Sequence, residues 1–127
     1  MVYKELKKIN NKNKGRDDRM RNMTTVTING KQYVGKKMTV KASAFSSAKD
    51  EGGAYAWNGE KLKDGHIAVD FKVIPMNTLV YIPQLGKIYK AVDTGSAIRG
   101  AKIDILMATK QQCKNWGIKE LEIIVLN

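Results

Sequence analysis

From residue 24 to the C-terminus, apolar positions come in short runs separated by turn residues. TVTI (25–28) and KQYV (31–34) flank Asn29 and Gly30. Both turn residues tolerate positive φ, so the stretch predicts a β-hairpin with a type I′ turn. Residues 37–45 alternate apolar and polar and predict a strand. HIAVD (66–70) predicts a short strand ending in Asp70, and VIPMNTLVYIP (73–83) follows with its prolines outside the best strand core. After a QLGK turn come IYKAVD (88–93) and IDILM (103–107), which read as two more strands. ATKQQCKNW (108–116) has helical composition and stops at Gly117. LEIIVL (121–126) is continuously apolar, which predicts a strand buried on both faces. Closely spaced strands joined by tight turns are the pattern of a small barrel or sandwich.

Two stretches depart from this pattern. Residues 46–64 are polar and contain Gly52, Gly53 and Gly59, so they predict a long loop of the kind that often carries function. Tyr55 and Trp57 lie in it, either to stack on sugar faces or to anchor the loop to the core. Residues 1–38 read as a basic arm in which 2–10 fit a charged helix and the hairpin follows, its membership of the main domain left open. The predicted division is an arm over 1–38 and a mainly β domain over 39–127.

Composition sharpens the picture of the arm. A chain of 127 residues is the size of one domain and can bury a core without staples. Its net charge is +11, and residues 1–40 hold 11 Lys and Arg against 3 acids, so +8 of that excess precedes residue 41. Such an arm suits a polyanion, whether nucleic acid, an anionic membrane surface or a phosphate-rich wall polymer, or else is a solvated leader. With no aromatic-interleaved basic pattern, a nucleic-acid partner is not expected. Cys113 has no disulfide partner and reads as a small core residue on the helix. No zinc-ligand spacing occurs, so neither metal nor cofactor is expected, and no oligomeric state is implied. The N-terminus lacks the apolar segment of a secretory signal, and no apolar run reaches the length of a membrane span.

The candidate chemistry lies in AVDTGSAIRGAKIDILM (91–107), where Asp93 and Asp104 sit in apolar, strand-like sequence around a loop of glycine and small polar residues. An unpaired acid in such surroundings tends to keep its proton. Asp93-Thr94-Gly95 matches the aspartic protease signature, in which two aspartates share a proton. Chain order excludes that reading, because only residues 94–127 follow and none supplies the later apolar-apolar-Gly segment of the protease lobe.

GHIAVDFKVIPMNTLVYIP, AVDTGSAIRGAKIDILM and the closing NWGIKELEIIVL together resemble the 3D domain, named for three aspartates. It occurs in stationary-phase survival proteins of spore formers and in MltA-type lytic transglycosylases. With MTVKASAF as its opening strand, the resemblance covers about 39–127. It implies a mainly β fold, a six-stranded double-psi β-barrel with a short helix near the C-terminus. The three aspartates fall on Asp70, Asp93 and Asp104, the opening-strand hydroxyl on Ser43 where threonine is more usual, and the following aromatic on Phe45 in place of tyrosine. Phe71 stands where proline is frequent, and Asn77 where glycine is.

The resemblance further implies cleavage of the β-1,4 bond between N-acetylmuramic acid and N-acetylglucosamine in peptidoglycan, giving a 1,6-anhydro sugar without water. One carboxyl group suffices for this chemistry, and Asp104 is assigned the role, with Asp93 and Asp70 near it. Asp93 and Asp70 fit equally a role in holding loops. Thr94, Gly95, Ser96 and Gly100 would line the cleft, and Lys102 and Arg99 would meet stem-peptide carboxylates or remain solvated. His66 reads as a strand residue without catalytic duty. A non-catalytic, expansin-like wall-binding or remodelling module is the main alternative, and inverting hydrolysis with two carboxylates roughly 6.5 to 9.5 Å apart is the third. The expected partner is the peptidoglycan glycan strand at the cell wall, with an anionic wall polymer for the arm. Without a signal peptide, the chain would be phage-encoded and virion-associated, or excised from a longer secreted protein.

Overall fold

The computed structural model describes residues 22–47 and 54–127. The helix expected over 2–10, most of the basic arm and the middle of the loop over 46–64 lie outside those residues. In chain order the elements are β1 (Met23–Ile28), β2 (Lys31–Phe45), β3 (His66–Val69), β4 (Leu79–Ile82), β5 (Lys87–Asp93), β6 (Lys102–Leu106), α1 (Lys110–Trp116) and β7 (Lys119–Leu126).

The hairpin forms around the Asn-Gly pair. β1 and β2 pair antiparallel from Met23↔Lys36 to Ile28↔Lys31, and Asn29 and Gly30 have φ of 51° and 82°. β2 continues for 15 residues without a break at residue 38. Beyond β1 it pairs antiparallel with β7 over residues 35–42 and in parallel with β6 over residues 41–45. The hairpin is therefore continuous with the barrel sheet. Gly35 is the point of closest approach, since a Cβ there would lie 2.7 Å from both Ile124 Cγ2 and the Val125 carbonyl oxygen.

The pairings run β2–β6–β3–β5–β4–β7, and β7 returns to β2, so six strands close and leave β1 as an outer flap. Two pairs, β2–β6 and β3–β5, are parallel inside an otherwise antiparallel ring, which requires crossing connections. This is a mainly β protein, a six-stranded double-psi β-barrel with one short helix near its C-terminus. Its interior follows the period of two: Ile103 and Ile105 of β6, Ile67 and Val69 of β3, and Val40 and Ala42 of β2 meet in one buried cluster. Pro75 and Pro83 flank β4. In β7, Leu121 and Ile123 belong to the central cluster while Ile124 is buried against the other face, over Gly35, as the continuous apolar run predicts.

Thr109 caps α1, its hydroxyl accepting from the Gln112 N–H while the Gln112 side chain accepts from the Thr109 N–H, and Gly117 ends it at φ 69°. The Trp116 indole N–H donates to the Ala42 carbonyl at 2.9 Å and docks the helix on β2. α1 has no fully buried residue, so Cys113 is half-buried instead of a core residue. A helix of two turns lying on the barrel rim offers too little covered surface to enclose it.

Candidate active site

The barrel registers bring four residues into one row across adjacent strands. Ser43 of β2 faces Asp104 of β6, Asp104 faces Ala68 of β3, and Ala68 faces Asp93 of β5. A register shift between Ile67 and Ala68 makes Val92 an extra residue on β5. Without that bulge Val92 would stand opposite Ala68, and Asp93 would turn to the other face. Strands lie about 4.8 Å apart, so with β3 between them the Cα atoms of Asp104 and Asp93 are about 10 Å apart.

Asp104 alternates with the core residues Ile103 and Ile105 and so points away from the barrel interior. It is still half-buried, and burial pushes its carboxyl above the ordinary value, opposed by the Ser43 hydroxyl and by Lys102. That hydroxyl donates to Asp104 Oδ1 at 3.0 Å. Phe45, two residues further along β2 and half-buried, lies on the same strand face as Ser43.

The other two aspartates have backbone partners. Asp70 is only 8% exposed, and its two oxygens accept separately, Oδ1 from the Lys72 N–H at 3.0 Å and Oδ2 from the Gly100 N–H at 2.8 Å. The Gly100 bond, then the Lys72 bond, holds its carboxyl below the ordinary value. Gly100 has φ 69°, a left-handed conformation natural to glycine, and this turns its N–H toward Asp70. Asp93 accepts the Trp57 backbone N–H at 2.9 Å.

Between Asp93 and β6, Thr94 and Gly95 are half-buried, Ser96 and Gly100 are exposed, and Ile98 is buried as the anchor of the loop. Lys102 turns its ammonium back to the Ala97 carbonyl at 3.1 Å, so it ties this loop. Arg99 is exposed.

A cluster around His66 had no counterpart in the sequence reading. His66 is 2% exposed, and its Nε2 lies 3.3 Å from Glu60 Oε1 while its Nδ1 accepts from the Lys63 N–H. Burial lowers the His66 pKa against the opposing pull of Glu60. Glu60 also accepts from Lys90, the main cause of its own lowered pKa, and from Asn58. Asn58 donates its N–H to the Val92 carbonyl and its side-chain amide to Asn77. Asn77 itself has φ 72°, which Asn tolerates better than most residues and which accounts for Asn where glycine is frequent. The bonded partners of this cluster lie from 2 to 34 residues apart in sequence, with no periodicity linking them.

Two concavities lie elsewhere. One of about 450 Å³ is lined by Leu85, Tyr89, Met107, Gln112 and Trp116 among others, and one of about 280 Å³ by Leu62, Lys63 and Met107 among others. Neither is lined by Asp70, Asp93 or Asp104. Among the described residues, no group of three or more His, Cys, Asp or Glu side chains is placed to hold a metal ion.

A family model described as the 3D domain matches residues 65–127, the stretch from β3 to the C-terminus that holds all three aspartates. The chain belongs to the 3D domain family. Over 101 residues it is 40% identical to the cell wall-binding protein YocH of Bacillus subtilis (strain 168), covering 76% of this chain and 34% of that protein. Over 107 residues it is 36% identical to the putative cell wall shaping protein YabE of the same organism, covering 81% of this chain and 26% of that protein. Both matches are longer than residues 65–127 and so take in sequence before the 3D domain proper. The chain spans about a quarter to a third of the length of these relatives. Among solved structures, MltA from E. coli is similar over 58% of this chain and 27% of that one, with 22% identity and a TM-score of 0.48.

Proposed function

We propose that this 3D domain acts at the cell wall as a peptidoglycan lytic transglycosylase, with Asp104 as its single general acid and base. The observation that carries the reading is the division among the three acids. Asp70 has both oxygens held by backbone N–H groups, and Asp93 holds the Trp57 backbone. Asp104 is half-buried, and it is the one whose surroundings raise the carboxyl and so favour its protonated form. Asp70 is thereby a positioning residue, and so is Asp93 through the loop it fixes.

In the proposed step, protonated Asp104 gives its proton to the glycosidic oxygen as the C1–O bond breaks. The muramic C6 hydroxyl attacks C1, closing the 1,6-anhydro ring, and its proton passes to Asp104. The carboxyl returns to its starting state and no water enters. Ser43 holds Asp104 in orientation throughout, and the 94–100 loop, fixed by Asp70, Ile98 and Lys102, supplies the wall of the glycan track.

A second reading is favoured by the relatives, whose names describe wall binding and wall shaping: a module that grips peptidoglycan without cutting it. Muropeptide release from purified sacculi separates the two. On the catalytic reading, Asp104→Asn lowers release by about 10²- to 10⁴-fold, the usual contribution of a general acid and base. Full release by Asp104→Asn would overturn the assignment, and no release by the parent protein would favour the binding module.

A further inference from the structure

The loop beside Asp93 is a small, heavily tied hairpin. Tyr55 pairs with Lys61 as an isolated bridge, the Ala56 N–H donates to the Glu60 carbonyl at 2.8 Å, and the Leu62 N–H donates to the Ala54 carbonyl at 2.9 Å. Its inner side is the buried Ala56. Asn58 and the Glu60–His66–Lys90 cluster fasten it to β3, β5 and the turn before β4. Among the described residues, its two large aromatic residues fasten it only through their backbones, and Trp57 is 72% and Tyr55 67% exposed. Leaving two such rings in water forgoes the apolar burial that large side chains ordinarily gain on folding. A rigid mount that holds exposed rings next to an acid row is the arrangement of a recognition surface.

We propose that Trp57, supported by Tyr55, is an aromatic platform that stacks on the sugar-ring faces of a glycan chain laid along the Ser43–Asp104–Asp93 row. The Trp57 backbone N–H sits 2.9 Å from Asp93 Oδ1, so the platform adjoins the end of that row. A pyranose ring offers a flat C–H face that is apolar, with its hydroxyl and amide groups at the rim, and an indole face covers it without needing charge. The group bonded to the Trp57 backbone is an acid, which disfavours a phosphate-linked polymer at this position and favours a neutral sugar face. The inference rests on the proposed function, since it supplies that reading with the subsite which positions the glycan.

Calorimetric titration with peptide-free MurNAc–GlcNAc glycan strands tests it, in an Asp104→Asn background to prevent turnover. Trp57→Ala is expected to weaken binding by about tenfold, as truncation of a central aromatic contact does, while Trp57→Phe retains most of the affinity. Because the ring is exposed, the thermal midpoint of Trp57→Ala should match its parent, and a variant that unfolds early is replaced by Trp57→Gln for the same titration. Equal affinity of Trp57→Ala and parent overturns the platform and leaves the proposed function standing. Undetectable glycan binding by the parent overturns the platform too, and the proposed function falls with it only if the protein carrying Asp104 also releases no muropeptides from sacculi.

Discussion

At the scale of the residue, the three aspartates differ by what surrounds each carboxyl. Asp104 is raised by burial, Asp70 is lowered by two backbone N–H donors, and Asp93 accepts a backbone N–H from a distant loop. The raised Asp104 has a consequence for stability. A carboxyl whose folded pKa exceeds its unfolded value, about 3.9 for Asp, destabilises the fold once ionised. The fold is least burdened below that value and loses stability as pH rises toward the raised native pKa. Asp104→Asn removes this burden, so the variant should melt at a higher temperature than the parent at pH 7, and the difference should shrink to nothing below about pH 3.9. Equal melting at pH 7 would mean that burial at Asp104 carries no such penalty. The sequence pointed to Asp104 through its apolar neighbours, yet Ile103 and Ile105 face the core, opposite to the Asp104 side chain. The Gly100 partner of Asp70 and the Trp57 partner of Asp93 were out of reach, because backbone N–H groups 30 and 36 residues away leave no mark on local pattern.

At the scale of the element, strand positions were legible and their reach was not. The Asn29-Gly30 turn, the helix stop at Gly117 and the two-sided burial of β7 all follow from turn chemistry and periodicity. A boundary at residue 38 was drawn where β2 in fact continues, since its partner changes from β1 to β7 to β6 while its own alternation does not. Gly35 marks that handover. Gly35→Ala should destabilise the protein by about 1 to 3 kcal/mol, the usual effect of forcing an extra group into packed backbone. Chemical denaturation measures it, and an unchanged midpoint would show that β7 yields freely. The bulge between Ile67 and Ala68 was equally hidden, although it alone brings Asp93 onto the Asp104 face.

At the scale of the whole molecule, six short strands in order suggested a barrel or a sandwich, and only the resemblance implied the double-psi barrel. Periodicity by itself is blind to such crossings, because a strand reads alike in parallel and antiparallel pairs. The closed ring sets Ser43 and Asp104 on adjoining strands and Asp93 one strand further on, in one row that lies outside both concavities. The excess positive charge before residue 41 remains a proposed contact for an anionic wall polymer. The central claim, anhydro-forming cleavage by one carboxyl group, is tested most directly by the masses of muropeptides released from purified sacculi. The account predicts products carrying 1,6-anhydro-N-acetylmuramic acid, each lighter by one water than its hydrolytic counterpart. Hydrated products from the same sacculi would contradict it and point to a two-carboxylate hydrolase.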